Sequence, residues 1–287
     1  GLEWAFRMVS SPLITASEAS SSVGRAIFLD ARAGPGAAEG YETEHLQGAF
    51  RVDLESELSA LVDPAAGGRH PLPDLEAWLS RLGQWGVRPS RQVIVYDDAG
   101  GGLAAARAWW MLRAMGHERV AVVDGGWGAL RELNASSEAG VARASCVGSY
   151  PREVDRWPTV DAELVEAIRS DPNWILIDAR APQRFVGATE PLDPVAGHIP
   201  GARNLYWQSQ LDDRGLFHSV DALRARFSEL LGDVSPDHVV CYCGSGVTAC
   251  HVLLAMEISG LPGAQLYVGS WSEWCRQERA LAGNWLD

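Results

Sequence analysis

Apolar positions along this chain follow two rhythms. Short runs such as "IFLD" at 27–30, "VIVY" at 93–96, "ILID" at 175–178 and "VVCY" at 239–242 are apolar nearly throughout, the pattern of strands covered on both faces. Between them, "DLEAWLSRLGQWGV" at 74–87, "GLAAARAWWMLRAMG" at 102–116 and "VDALRARFSELLGDV" at 220–234 space their apolar residues three and four apart. The first and third predict amphipathic helices, and the second a helix that ends at Gly116. Strands alternating with helices predict an α/β fold built on mainly parallel sheets flanked by helices.

The pattern also repeats. "IFLDARAG" (27–34) is answered by "ILIDARAP" (175–182), "EHLQGAF" (44–50) by "GHIPGAR" (197–203), "VIVYDD" (93–98) by "VVCYCG" (239–244), and "VVDGGW" ending at Trp127 by "LYVGSW" ending at Trp271. Four landmarks in one order mark two similar units. Pro, Gly and charge interrupt the periodicity in "VGSYPREVDRWPTV" at 147–160. The expected division is an N-terminal domain at 10–146, a linker at 147–157 and a C-terminal domain at 158–287.

Composition narrows the setting without naming the chemistry. A chain of 287 residues with 47% hydrophobic and 21% charged positions can bury two ordinary cores. No apolar run reaches the roughly 18 residues of a membrane span. The opening "GLEWAFRM" lacks the basic, apolar and small-residue regions of a signal peptide. A formal charge of -13 and the lack of a basic stripe disfavour nucleic-acid binding, so an anionic ligand needs a local arginine field. Five cysteines in a core-forming chain argue against a disulfide framework and for a reducing, cytoplasmic setting.

Cys243 is the candidate nucleophile. It sits where the strand "VVCY" stops and "GSGVT" turns into a helix expected to begin near Val247 or Thr248, so its sulfur faces loop N–H groups and a helix N-terminus. Gly244 and Gly246 suit a loop that needs uncommon backbone angles and no crowding Cβ. Cys241 and Cys250 read as packed core. A zinc site built from Cys241, Cys243, Cys250 and His251 has the wrong spacing. Phosphoryl transfer would want an arginine six residues after the cysteine, where Ala249 stands.

With both repeats and the loop "CGSGVT" in view, the sequence resembles the tandem-domain rhodanese superfamily, in particular the 3-mercaptopyruvate sulfurtransferases; "DARAPQRF", "GHIPGA" and "GSWSEW" are further landmarks. The resemblance implies two rhodanese-like domains, the first without a nucleophile, Asp97 standing opposite Cys243. It implies a carboxylate-binding arginine at Arg184, a structural role for Arg180, and a relay of Ser245, His70 and Glu55, with Asp53 as the other acid nearby. Gly244, Gly246, Val247 and Thr248 would line the donor site. Three departures accompany it. The second arginine expected after "EP" is absent from "TEPLDPVAGH", where Leu192, Asp193 and Pro194 stand; Leu103 replaces an aromatic; and Val268 replaces an acid.

The implied reaction moves a sulfane sulfur from 3-mercaptopyruvate to Cys243 and then to a thiol such as thioredoxin, or to cyanide, with no cofactor or metal. Thiosulfate as donor is the alternative, although Gly244 and Ser245 supply no cationic side chain for a sulfonate. A non-catalytic scaffold of the same fold is the other alternative.

Overall fold

A computed structural model describes residues 11–283; the opening "GLEWAFRM" and the outermost ends of both expected domains lie outside the described residues. Among the described residues nine strands form two parallel sheets, β1 (Leu13–Ile14), β2 (Ile27–Asp30), β3 (Phe50–Arg51), β4 (Val93–Tyr96) and β5 (Val120–Val123) in the first, β6 (Ile175–Asp178), β7 (Arg203–Asn204), β8 (Val239–Tyr242) and β9 (Gln265–Leu266) in the second, beside a small antiparallel pair of His45–Leu46 with Ser137–Glu138. The first sheet runs β1-β5-β4-β2-β3 and the second β9-β8-β6-β7, every pairing parallel. A parallel bridge from Val160 to Tyr267 extends the second sheet where β1 extends the first. Strands β2, β4, β5, β6 and β8 are buried along their whole length, as strands covered on both faces must be.

The four longest helices are α1 (Leu75–Gln84), α2 (Ala105–Ala114), α3 (Val220–Leu231) and α4 (Ala249–Ile258). α1 buries Leu75, Trp78, Leu79, Leu82 and Gly83, the stripe its spacing predicts. α2 stops at Ala114, slightly before Gly116. α3 is capped by Ser219, whose hydroxyl accepts the Ala222 N–H at 3.2 Å. α4 starts later than expected, at Ala249, because Ser245 to Thr248 remain in the loop. Its residues are buried on every side except at Glu257, because α4 packs against α2 and α3 as well as its own sheet. One apolar cluster therefore runs through both units, and α4 is its axis.

The repeat holds down to individual hydrogen bonds. In the first unit Arg32 forks onto Asp30 and donates to Glu44 O, while its guanidinium lies 4.8 Å from the Trp127 ring. In the second Arg180 forks onto Asp178 and donates to Gly197 O, 5.1 Å from the Trp271 ring. Tyr96 and Tyr242 accept the N–H of Leu46 and Ile199, each at 3.1 Å. His45 stacks on Tyr41 and His198 on Phe185. The segment at 147–157 is tied to the N-terminal unit through Val147 N–H to Gly83 O, Tyr150 N–H to Leu79 O and Trp157 Nε1 to Pro73 O.

Two stability predictions follow from buried charge. Asp30→Ala strands both the buried Arg32 guanidinium and the Tyr96 hydroxyl, so urea unfolding should show a loss of about 3–5 kcal/mol; a loss within about 1 kcal/mol would contradict it. Burial lowers the His251 pKa from 6.5 to about 4, and burial lowers His70, His117 and His198 as well. Between those two values the unfolded chain holds a proton that folded His251 does not, so stability falls as pH drops from 6.5 toward 4, by roughly 3 kcal/mol for His251. His251→Phe should flatten that slope in urea melts across the window, and an unaltered slope would count against it.

Candidate active site

Cys243 follows β8 directly, at the carboxyl edge of the sheet where parallel α/β units collect ligands. The loop holds it from several sides. Its N–H donates to Ser270 Oγ at 3.1 Å, its C=O accepts the Trp271 N–H at 3.0 Å, and its Sγ accepts the Gly246 N–H at 3.1 Å. The thiol is buried, only 1% of Cys243 being exposed. Gly246 has φ +83°, and a Cβ there would stand 2.6 Å from Val268 O, so the loop closes tightly only with glycine. Val268, where the resemblance places an acid, contributes that main-chain wall. Gly244 has no positive φ; a Cβ there would meet the guanidinium ends of Arg69 and Arg184, Nη2 at 2.9 Å and 3.2 Å, and would push those side chains from their place over the loop.

Ser245 is buried, and its Oγ lies 2.7 Å from His70 Nδ1; His70 Nε2 lies 2.8 Å from Glu55 Oε1. The longer Glu55 side chain thus reaches the histidine. Asp53 does not, its carboxylate being occupied by Ser56 and Arg51. Burial lowers the His70 pKa; the hydrogen bond and charge of Glu55 oppose the shift, whereas Arg107 and Arg69 add to it. Arg184, at the end of the short helix Pro182–Phe185, forks onto Glu190 at 2.9 and 3.2 Å and faces the loop. Arg180 is turned onto Asp178 and Gly197 O, away from that role. Val247 packs its side chain in the core, and Thr248 sits at the N-cap of α4. Cys241 and Cys250 are fully buried, and burial pushes the Cys250 thiol up to about 12.

Three residues here escaped sequence reasoning. Arg107, on α2 of the first unit, is fully buried and donates to Gly246 O at 3.0 Å, Leu58 O at 3.0 Å and His70 O at 2.7 Å. It thereby joins the cysteine loop to the histidine loop. Ser270 holds φ +56°, a strained conformation for a residue with a side chain, where the first unit has Gly126 at φ +57°. Its hydroxyl accepts the Cys243 N–H and donates to Tyr267 O. The only sequence signal was the change from "GGW" to "GSW" between repeats. Arg69 adjoins His70 in "GRHPLP" and was passed over for its neighbour.

In the first unit Asp97 follows β4 as Cys243 follows β8. Its carboxylate accepts the N–H groups of Ala99, Gly101, Leu103, Ala104 and Ala105 between 2.8 and 3.3 Å. That loop is an anion cradle filled by its own side chain.

Comparison with known proteins agrees with this anatomy. A family model described as "Rhodanese-like domain" matches residues 15–132 and again 161–277. The chain is 43% identical over 240 residues to a Pseudomonas aeruginosa protein named "Probable 3-mercaptopyruvate sulfurtransferase", covering 83% of this chain and 84% of that one. It is 32% identical over 283 residues to a thiosulfate sulfurtransferase of Cricetulus griseus, covering 94% and 92%. Among solved structures, a 3-mercaptopyruvate sulfurtransferase from Leishmania major superposes with a TM-score of 0.81 at 29% identity, covering 91% of this chain and 73% of that one.

The His70 environment yields a titration test. Histidine NMR should place the His70 pKa below 6.5, and Glu55→Gln, which removes the group that raises it, should lower it further. A His70 that titrates at or above 6.5, or rises in the variant, would contradict this environment.

Proposed function

This chain belongs to the rhodanese-like family as a tandem-domain sulfurtransferase, and on that premise we propose that it takes its sulfur from 3-mercaptopyruvate, carries it on Cys243 and releases pyruvate. The Cys243 thiolate attacks the donor sulfur, the C–S bond breaks, and its electron pair leaves on the pyruvate enolate. The sulfur stays on Cys243 as a persulfide, and the proton of the donor thiol ends on the pyruvate methyl group through Ser245 and His70. A thiol acceptor, thioredoxin or a small thiol, then attacks the outer sulfur and returns Cys243 to the thiolate. Arg184 binds the donor carboxylate, while the N–H of Gly246 and the neighbouring loop stabilise charge at sulfur.

The hydrogen-bonded chain from Glu55 through His70 to Ser245, adjoining the Cys243 loop, carries this reading. An enolate needs a proton to become pyruvate. Sulfite leaving thiosulfate is a stable anion that needs none. A relay beside the nucleophile is therefore useful to one donor and idle for the other. A second reading, thiosulfate as donor, draws on one observation. Although residues 244 and 245 carry no charge, the guanidinium groups of Arg69 and Arg184 stand over Gly244, where a sulfonate could meet them.

The test is kcat/KM for 3-mercaptopyruvate beside that for thiosulfate, with one acceptor and one preparation. An advantage of about 100-fold for mercaptopyruvate, roughly 2.7 kcal/mol, is expected, and equal or better use of thiosulfate overturns the donor assignment. Ser245→Ala should lower kcat with mercaptopyruvate by about 100-fold or more and change thiosulfate turnover far less; parallel losses would remove the proton relay from the mechanism.

A further inference from the structure

Arginines cluster where the first sheet begins. Ala26, Gln92 and Arg119 immediately precede β2, β4 and β5, and the sheet ladder joins them, Ile27 N–H donating to Gln92 O at 2.9 Å and Val93 N–H to Arg119 O at 2.8 Å. This is the edge opposite the one from which Asp97 and, in the second unit, Cys243 emerge. A cavity of about 330 Å³ opens there, and its walls include Arg25, Arg91 and Arg119 with Ser22, Ser90 and Gln92. Main-chain carbonyls orient all three guanidinium groups: Arg25 donates to Ser21 O, Arg91 to Arg25 O at 3.3 Å and Arg119 to Ser90 O.

Charge sets this cluster apart. The chain carries a formal charge of -13, and exposed arginines elsewhere, such as Arg81, Arg131 and Arg152, each pair with a glutamate. Arg25, Arg91 and Arg119 have no carboxylate in ion-pair range among the described residues, and no Asp or Glu among them lines the cavity. Glu118, beside Arg119 in sequence, lines a different cavity at the seam between the two units. Like charges held together repel, so an anion bound among them is favoured. A second cavity, of about 350 Å³, shares Ala26 and Arg91 with the first. Its walls are of another kind. Phe50 and Trp85 supply aromatic surface, and Arg143 adds a fourth guanidinium without a carboxylate partner among the described residues. Trp85 is fixed by edge-on packing against Trp78, with 5.9 Å between ring centroids.

We propose that the two cavities form one binding site for a nucleoside di- or triphosphate, its phosphates among Arg25, Arg91 and Arg119, its base against Trp85 and Phe50, and Arg91 at the junction. Arginine suits phosphate because its planar fork offers paired N–H donors, and aromatic side chains take up a base by stacking. Two joined cavities, one cationic and one aromatic, match a ligand whose two ends differ in the same way. The site lies in the unit that has no nucleophile, and it does not depend on which donor supplies sulfur to Cys243.

Titration calorimetry of the full chain with ADP at low ionic strength tests the site. Arg91→Gln and Arg119→Gln should each bind ADP about 10- to 100-fold more weakly than the parent protein, the range for losing a hydrogen bond to a charged group. Inorganic diphosphate and adenosine, each standing for one end of the ligand, should bind at least about tenfold more weakly than ADP. Arg184→Gln, which alters the candidate active site instead, should leave ADP affinity within about twofold of the parent. Turnover reports separately on folding, and Arg91→Gln should keep kcat/KM for 3-mercaptopyruvate or thiosulfate within about twofold. Diphosphate binding as tightly as ADP would reduce the site to a patch for any anion, and an equal loss in Arg184→Gln and Arg91→Gln would move the nucleotide to the catalytic cleft. Either result overturns the proposal, as does ADP affinity in Arg91→Gln equal to that of the parent, or a parent protein that takes up no ADP at millimolar concentration.

Discussion

The candidate site depends on one buried cation. Arg107 lies wholly inside the protein, without a carboxylate in ion-pair range among the described residues, and is held by three main-chain carbonyls. Taking a guanidinium out of water costs several kcal/mol, offset here only because those carbonyl dipoles are fixed in place. Burial accordingly lowers its pKa, while Cys250 and Cys243 act the other way. Its three acceptors belong to the cysteine loop, the histidine loop and the segment at Leu58, so the contact that satisfies the charge also sets the spacing between nucleophile and relay. Since α2, which carries Arg107, packs on α4, which follows the cysteine loop, the apolar interface and this polar tie fix the same geometry.

Two copies of one loop show how little separates a scaffold from a reactive site. In the first unit the N–H groups converge on Asp97, leaving no room for another anion. In the second a shorter side chain with a sulfur takes that place, and the loop N–H of Gly246 meets sulfur instead. The neighbouring turn changes with it. Gly126 in the first unit packs a bare Cα against Asp97 O, where a Cβ would stand only 2.3 Å away, whereas Ser270 accepts positive φ in the second and binds the Cys243 N–H. Backbone strain at Ser270 is thus spent on holding the cysteine main chain.

Much of the fold was legible because buried parallel strands are apolar along their whole length and because the repeat states every landmark twice. The apolar runs became β2, β4, β6 and β8, and the three stretches with helical periodicity became α1, α2 and α3. The helix after Cys243 begins at Ala249, one to two residues beyond the start expected near Val247 or Thr248, because Thr248 stands at its N-cap. Site residues with a local signature could be named: a cysteine in a glycine loop, a histidine before "PLP", an arginine in "PQRF". Arg69, Arg107 and Asp193 could not, because their chemistry arises from contacts across more than a hundred residues of sequence, to Asp193, Gly246 and Arg69 respectively. Leu192 to Pro194 read as a loss in one dimension, and only the folded chain shows an arginine from the other domain beside it.

The central claim is that Cys243 holds the transferred sulfur while pyruvate departs. It is tested most directly by a single turnover of 3-mercaptopyruvate with no acceptor present, following pyruvate release and then mapping the added sulfur by peptide mass spectrometry. The account predicts one pyruvate per protein chain, a stall until a thiol is added, and the extra sulfur on the peptide that contains Cys243. Continued pyruvate release without an acceptor, or a sulfur located on Cys241, Cys250 or no cysteine at all, would contradict it.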